Sequence, residues 1–146
     1  MTRAVKATVS RLFGRRRSVL IVDDETPLRE FVRALLDDAG LGPFYEAPDG
    51  ESALHLAHQH QPSIVVLDYV MPGMDGSAVA GYLRKIVPHA RIVLLTGKLD
   101  SAPPWADDFL HKMDISRLPD LLSGIPMSSR GGLVNRRRRA TDQPTG

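Results

Sequence analysis

Three aspartates stand out by where they fall. Asp23 and Asp24 directly follow the apolar run Val19–Val22, and Asp68 directly follows Ile64–Leu67. Thr96 closes a further apolar run, Arg91 to Leu95, and Lys112 follows Asp108 to His111. Gathered into one crevice, three carboxylates repel one another and stay ionised together only when a cation joins them. The chain has no cysteine and no histidine adjoins these acids, so the donor set calls for a hard ion with oxygen ligands. Mg²⁺ characteristically binds through one or two carboxylates plus a phosphate. A hydroxyl from Thr96 and an ammonium from Lys112 add donors suited to the oxygens of a phosphoryl group. One carboxylate must then be the nucleophile. Asp68 is the best candidate, because it stands singly at its strand end while Asp23 and Asp24 are paired.

The elements that must position these residues follow from periodicity. Ser18 to Val22 reads as a strand, and Thr26-Pro27 supplies an N-cap followed by proline at the first helical position. Leu28, Phe31, Val32, Leu35, Leu36 and Ala39 recur at the spacing of one buried helical face, and Gly40 stands where a left-handed C-terminal residue belongs. Phe44 to Ala47 is a second strand, and Asp49 caps a helix running to about Gln59. Ile64 to Leu67 has the continuous apolar character of a strand buried on both faces. A third helix runs from Gly76 to Val87 with Val79, Leu83 and Ile86 inward; Arg91 to Leu95 and Asp108 to His111 complete five strands. This alternation predicts an α/β fold, a five-stranded parallel sheet with helices on both faces and right-handed crossovers. In such sheets the functional crevice lies beyond the carboxyl ends of the strands, where the five residues above collect.

Between Thr96 and the fifth strand only eleven residues remain, Gly97 to Asp107, and they include Pro103 and Pro104. A helix of roughly 11 residues with loops of about 2 to 6 on either side does not fit there. The fourth helix is therefore expected to be reduced or absent, with Trp105 as the apolar anchor of an irregular, mobile segment. Pro119 cannot sit deep in a helix, so a short last helix is expected from about Ser116.

Composition sets the frame. At 146 residues, 42% hydrophobic and 25% charged, the chain has the size and make-up of one globular domain. Zero cysteines exclude disulfide and zinc-ribbon scaffolds, and the chain lacks an 18-residue apolar run; the expectation is a cytoplasmic protein. The net charge of +2 is partitioned: residues 1–17 and 127–146 together carry +10, and residues 18–126 carry −8. The basic ends read as arms, 1–17 and 125–146, flanking a domain at 18–124. Val5, Val9, Leu12 and Phe13 give the first arm an amphipathic pattern, and Arg136–Arg139 mark the second. Such ends could meet nucleic acid or an anionic membrane. His55, His58 and His60 read as the polar edge of a surface helix rather than a metal site.

Four segments together resemble the receiver domain of two-component response regulators. Val-Leu-Ile-Val-Asp-Asp-Glu (19–25) resembles the family's acidic pair, and Val-Val-Leu-Asp-Tyr-Val-Met-Pro-Gly-Met-Asp-Gly (65–76) its phospho-acceptor segment. Leu-Leu-Thr-Gly (94–97) and Asp-Phe-Leu-His-Lys (108–112) resemble its strand-end Thr or Ser and its lysine. The resemblance implies a flavodoxin-like receiver fold and phosphorylation of Asp68 by a histidine kinase or histidine phosphotransfer protein. It implies Mg²⁺ held by Asp24, Asp68 and the main-chain carbonyl of Val70, with Asp23 acting through water. Thr96 and Lys112 would hold phosphoryl oxygens, Gly97 would leave the crevice open, and Phe109 would switch with Thr96. Met113 stands where the family commonly has proline, and Lys98 puts a second ammonium near the mouth. The expected function is a stand-alone, non-enzymatic, largely monomeric receiver without a DNA-binding output domain, signalling by protein contact or serving as relay or phosphate sink. An aspartyl-phosphate phosphatase is the alternative from the enzyme class, although Val70 stands where that chemistry wants an acid.

Overall fold

The computed structural model describes residues 17–122. The amphipathic pattern of Val5 to Phe13, the arginines at 136–139 and the outer parts of both arms lie outside the described residues. Five strands, β1 (Val19–Val22), β2 (Phe44–Ala47), β3 (Ile64–Leu67), β4 (Arg91–Thr96) and β5 (Asp108–His111), form one parallel sheet in the order β2-β1-β3-β4-β5. Helices α1 (Thr26–Asp38), α2 (Gly50–His60) and α3 (Gly76–Ile86) cross between strands, and α4 (Leu118–Leu122) follows a 3-10 turn at Lys112–Arg117. No helix among the described residues is long and apolar enough to cross a membrane.

Alternation along each strand divides the core. Leu20, Val22, Val65, Leu67 and Ile92 point to the face covered by α2 and α3, where Ala53, Ala57, Val79, Ala80 and Leu83 pack on them. Val19, Ile21, Val66, Val93, Leu95 and Leu110 point to the other face, against Val32 and Leu36 of α1 and Leu118, Leu121 and Leu122 of α4. Successive strand residues take opposite faces, so both faces of the central strands are apolar, as a doubly covered parallel sheet requires. Leu36 is fully buried, and truncation of such a residue to alanine costs about 2–5 kcal/mol.

Local signals fix the helix ends. Asp49 Oδ1 accepts the Ser52 N–H at 2.7 Å, and Asp75 Oδ1 accepts the Ala78 N–H at 2.9 Å, each satisfying an orphan donor of a first turn. After α1, Gly40 takes φ +88°. Its N–H reaches the Asp37 carbonyl, and the Leu41 N–H reaches that of Leu36, the paired bonds of a Schellman stop.

Four expectations are corrected. The residue that caps α1 is Glu25, in extended backbone, so Thr26 is the first helical residue and Pro27 the second. Phe31 leaves the buried face of α1 and is 49% exposed; Val32 and Leu36, four apart, carry that face, and Phe31 falls to its flank. Arg17, placed in the arm by its charge, belongs to the fold: its carbonyl accepts from the Gly42 N–H, and its guanidinium donates to the Leu122 carbonyl. The chain coils from Lys112 rather than from Ser116, as a 3-10 turn that α4 continues for five residues.

The segment Gly97–Asp107 contains no helix. It is nonetheless packed: Ala106 is buried, and Leu99, Ala102 and Trp105 cover Leu94 and Phe109 in a small third cluster. Trp105 is thus one anchor among several. Leu99 and Ala106 escape a periodicity search because nothing periodic joins them.

Candidate functional site

Register brings the chemistry together. Val22 lies opposite Leu67 across the β1/β3 ladder, so the next residues, Asp23 and Asp68, emerge side by side. Leu67 lies opposite Leu94, and Thr96 opposite His111, which sets Thr96 at the rim and Lys112 one residue beyond. The sheet order reverses between β1 and β3, and the acids sit at that switch point, where crossover helices diverge and leave a crevice.

Carboxylate oxygens of Asp23, Asp24 and Asp68 lie within 4.8 Å of one another. Asp23 and Asp68 are 3% and 5% exposed, while Asp24 faces solvent. The Lys112 ammonium bridges the two buried acids, 3.2 Å from Asp23 Oδ2 and 3.2 Å from Asp68 Oδ2. Burial, joined by the charge of Asp68, raises Asp23 to about 6, although the Glu25 N–H and Lys112 both favour its ionised form. Burial alone lowers the Lys112 ammonium, but the carboxylates of Asp68 and Asp23 outweigh it and the net shift is upward. Three carboxylates against one ammonium leave two negative formal charges within a few ångströms. The donor set therefore fits a divalent oxygen-seeking cation such as Mg²⁺.

Thr96 is fully buried, and its Oγ1 accepts the Lys98 N–H at 3.2 Å. The Lys98 side chain is exposed. Phe109 is buried against Leu94 and Ala106, with Tyr69 beside it. A Cβ added to Gly97 would meet nothing nearer than His111 Cε1 at 3.9 Å, so packing does not require glycine there. Val70, whose carbonyl the resemblance assigns to the ion, is exposed at its side chain. His60 stacks on Tyr45, ring centroids 4.0 Å apart, and the three α2 histidines join no metal-capable cluster among the described residues.

Gly76 carries no side-chain chemistry, yet it shapes the site. A Cβ there would lie 2.8 Å from the Asp68 carbonyl oxygen and 2.8 Å from Tyr69 Cα. Its N–H donates to the Tyr69 carbonyl at 2.6 Å. The start of α3 thus presses directly on the backbone of Asp68, a contact open only to glycine. No signal in one sequence distinguishes it from a helix-start glycine.

Fold and site together define an open α/β domain with an acidic pocket at the switch point. Residues 19–121 match the family described as the response regulator receiver domain, and the chain belongs to that family. It is 42% identical over 105 residues to the protein named "Probable transcriptional regulator ycf27" of Guillardia theta, covering 66% of this chain and 40% of that protein. The REC domain of AraT, a response regulator from Geobacillus stearothermophilus, superposes with a TM-score of 0.64 at 27% identity, over 78% of this chain and 98% of that one. The chemotaxis protein CheY4 of Vibrio cholerae does so with a TM-score of 0.59 at 28% identity, over 66% and 87%. The chain spans about 40% of the length of curated relatives such as the Guillardia protein. The family's receiver domain is a signalling module; relatives that are enzymes carry further domains.

Proposed function

We propose that this chain is a phosphoacceptor in which Asp68 takes a phosphoryl group from a histidine kinase or a histidine phosphotransfer protein. The observation that carries the reading is the bridge Asp23–Lys112–Asp68 beside Asp24. One buried carboxylate is held by an ammonium in a pocket with net negative charge, which suits a nucleophile whose product is an anion needing cationic neighbours. A carboxylate oxygen of Asp68 forms the new P–O bond as the donor's P–N bond breaks, and the leaving imidazole keeps its electron pair and is protonated.

Asp23, Asp24 and Asp68, with the Val70 carbonyl, are the residues that would hold Mg²⁺. The bound ion would neutralise phosphoryl oxygens and lower repulsion between the anionic donor and the pocket. Lys112 already stands at Asp68 and is the group to pair with a phosphoryl oxygen. Thr96 then turns its hydroxyl to donate to a phosphoryl oxygen, which draws Oγ1 away from the Lys98 N–H, and Phe109 follows as the switch. Signalling proceeds by protein contact, or the chain serves as relay or phosphate sink, in the cytoplasm where ATP charges the kinase. The domain runs over 18–124, with Arg17 tied to it, between basic arms that are dispensable for the chemistry.

Intact mass after incubation with acetyl phosphate tests the reading. One added phosphoryl group is expected with Mg²⁺, none with chelator, and none in Asp68→Asn. Equal labelling of that variant overturns the assignment.

A further inference from the structure

The turn that carries Lys112 is packed on the core through Ile115, three residues beyond the lysine, and its first residues have no such anchor. Lys112–Arg117 includes no buried residue, and Asp114 departs from helical geometry at φ −104°, ψ 22°. Met113 is 86% exposed. Short 3-10 turns have poorer hydrogen-bond geometry than α-helices, and their first N–H groups lack partners within the turn. Yet the ammonium at the end of a flexible four-carbon stem must reach two carboxylate oxygens at once, and its aim depends on the backbone from which it springs.

His111 supplies the missing restraint. It is the N-cap of the turn, and its Nδ1 accepts the Met113 N–H at 3.1 Å. A ring nitrogen that accepts carries no proton, so the ring bonds in its neutral form through Nδ1. The residue also pairs with Thr96 across the β4/β5 ladder, and its Cε1 lies on the Gly97 side, 3.9 Å from where a Cβ would stand. His111 is thus registered to the end of β4 through its backbone and bonded to the first turn after β5 through its ring. Histidine is not among the usual capping residues, so the sequence carries no cue to this role.

We propose that His111 is the positioning residue for Lys112: by capping the turn at the Met113 N–H and lying beside Gly97, it aims the ammonium at Asp68. The functional meaning rests on the phosphoacceptor reading, and the test separates the two. Three variants suffice: His111→Ala, which removes the acceptor; His111→Asn, which restores a short side-chain acceptor suited to a cap; and Asp49→Ala, which removes the cap of α2, whose residue belongs to no part of the phosphoryl machinery. Two measurements are made on the full chain. One is the rate of phosphorylation by acetyl phosphate with Mg²⁺. The other is mass-spectrometric footprinting of Lys112 with an amine-acetylating reagent, which needs no phosphorylation.

His111→Ala should slow phosphorylation roughly tenfold, short of the about 10²-fold that a full 1 Å misplacement costs, and raise Lys112 acetylation several-fold. His111→Asn should recover most of both. Asp49→Ala should match the wild type in both, even where its loss of stability equals that of His111→Ala. Unchanged Lys112 acetylation in His111→Ala overturns the inference, as does an Asn variant no better than the Ala variant. If the wild type takes up no phosphoryl group while Lys112 acetylation still rises in His111→Ala and recovers in His111→Asn, the positioning role stands and the phosphoacceptor reading alone fails.

Discussion

Arg84, near the end of α3, holds Asp107 immediately before β5: its Nη2 lies 2.7 Å from Asp107 Oδ2. The same guanidinium donates to the carbonyls of Trp105 at 3.0 Å and Ala90 at 3.1 Å. Asp107 Oδ2 also accepts the Ile92 N–H at 2.8 Å, and its own N–H donates to the Ile92 carbonyl. Where a helix would ordinarily bind the β4 to β5 crossover to the sheet, a guanidinium fork and one carboxylate do so. Arg84 suits the task because its planar fork presents several donors in fixed geometry.

Asp107→Ala should therefore destabilise more than an ion pair exposed at 33% and 31% of its side chains implies. The pair itself contributes about 0–1 kcal/mol, but removal of the carboxylate strands the N–H of Ile92, a fully buried residue, at a cost of about 1–3 kcal/mol. Urea unfolding measures the sum, and hydrogen exchange should show faster amides at 98–106 in Arg84→Ala. Wild-type exchange in that variant would show that the clamp does not hold the segment.

The two glycines at the site should respond oppositely to alanine. In Gly76→Ala the new Cβ meets backbone atoms of Asp68 and Tyr69 at 2.8 Å, which no side-chain rotation relieves, so a loss of about 1–3 kcal/mol is expected. Phosphorylation should slow with it because the Asp68 peptide shifts. Gly97→Ala should fold with wild-type stability, since only His111 Cε1 at 3.9 Å is near. Any effect there should appear in the phosphorylation rate. Thermal melts beside phosphorylation rates separate the two cases.

Mg²⁺ affinity should depend on the proton at Asp23. Burial and the Asp68 charge raise this carboxyl to about 6 from 3.8, so the metal-free fold binds the proton more tightly than the unfolded chain. Its contribution to metal-free stability is then greatest below 3.8 and is lost as pH rises through about 6. The ion needs the opposite, ionised form. Apparent Mg²⁺ affinity should be flat above about pH 6 and fall by up to about tenfold per unit below it. Calorimetric titration from pH 5 to 8 measures this, and the step near 6 should vanish in Asp23→Asn.

Much of this was legible because parallel strands buried on both faces are nearly pure apolar runs, and each run ends where its functional residue begins. Val19–Val22 leads to Asp23 and Ile64–Leu67 to Asp68, with a one-residue offset that the register makes spatial. The shortness of Gly97–Asp107 was equally legible, since chain length excludes a crossover helix. What escaped was pairwise and non-local. Arg17 reaches Leu122 across 105 positions, Gly76 meets the backbone of Asp68, and Arg84 meets Asp107; none of these leaves a periodic trace. Phe31 shows the converse: it fits the helical period and still lies outside, because a period defines a stripe and the neighbouring elements decide its width.

Trp105, the only tryptophan in the chain, offers a direct readout of the switch. Its ring packs on the α2/α3 core and on the small cluster that holds Phe109, so it spans the border between rigid sheet and irregular segment. If Thr96 engages the phosphoryl group and releases the Lys98 N–H, the segment beginning at Gly97 changes its first hydrogen bond. Leu99 and Trp105 then repack around Phe109. Ordering of the segment should bury the partly buried indole further and move its emission to shorter wavelength when acetyl phosphate and Mg²⁺ are added. Thr96→Ala, which keeps Asp68 and Lys112, should still take up phosphoryl, more slowly, with no spectral change at full modification. An emission spectrum identical in the fully phosphorylated and unmodified wild type would uncouple the segment from the site.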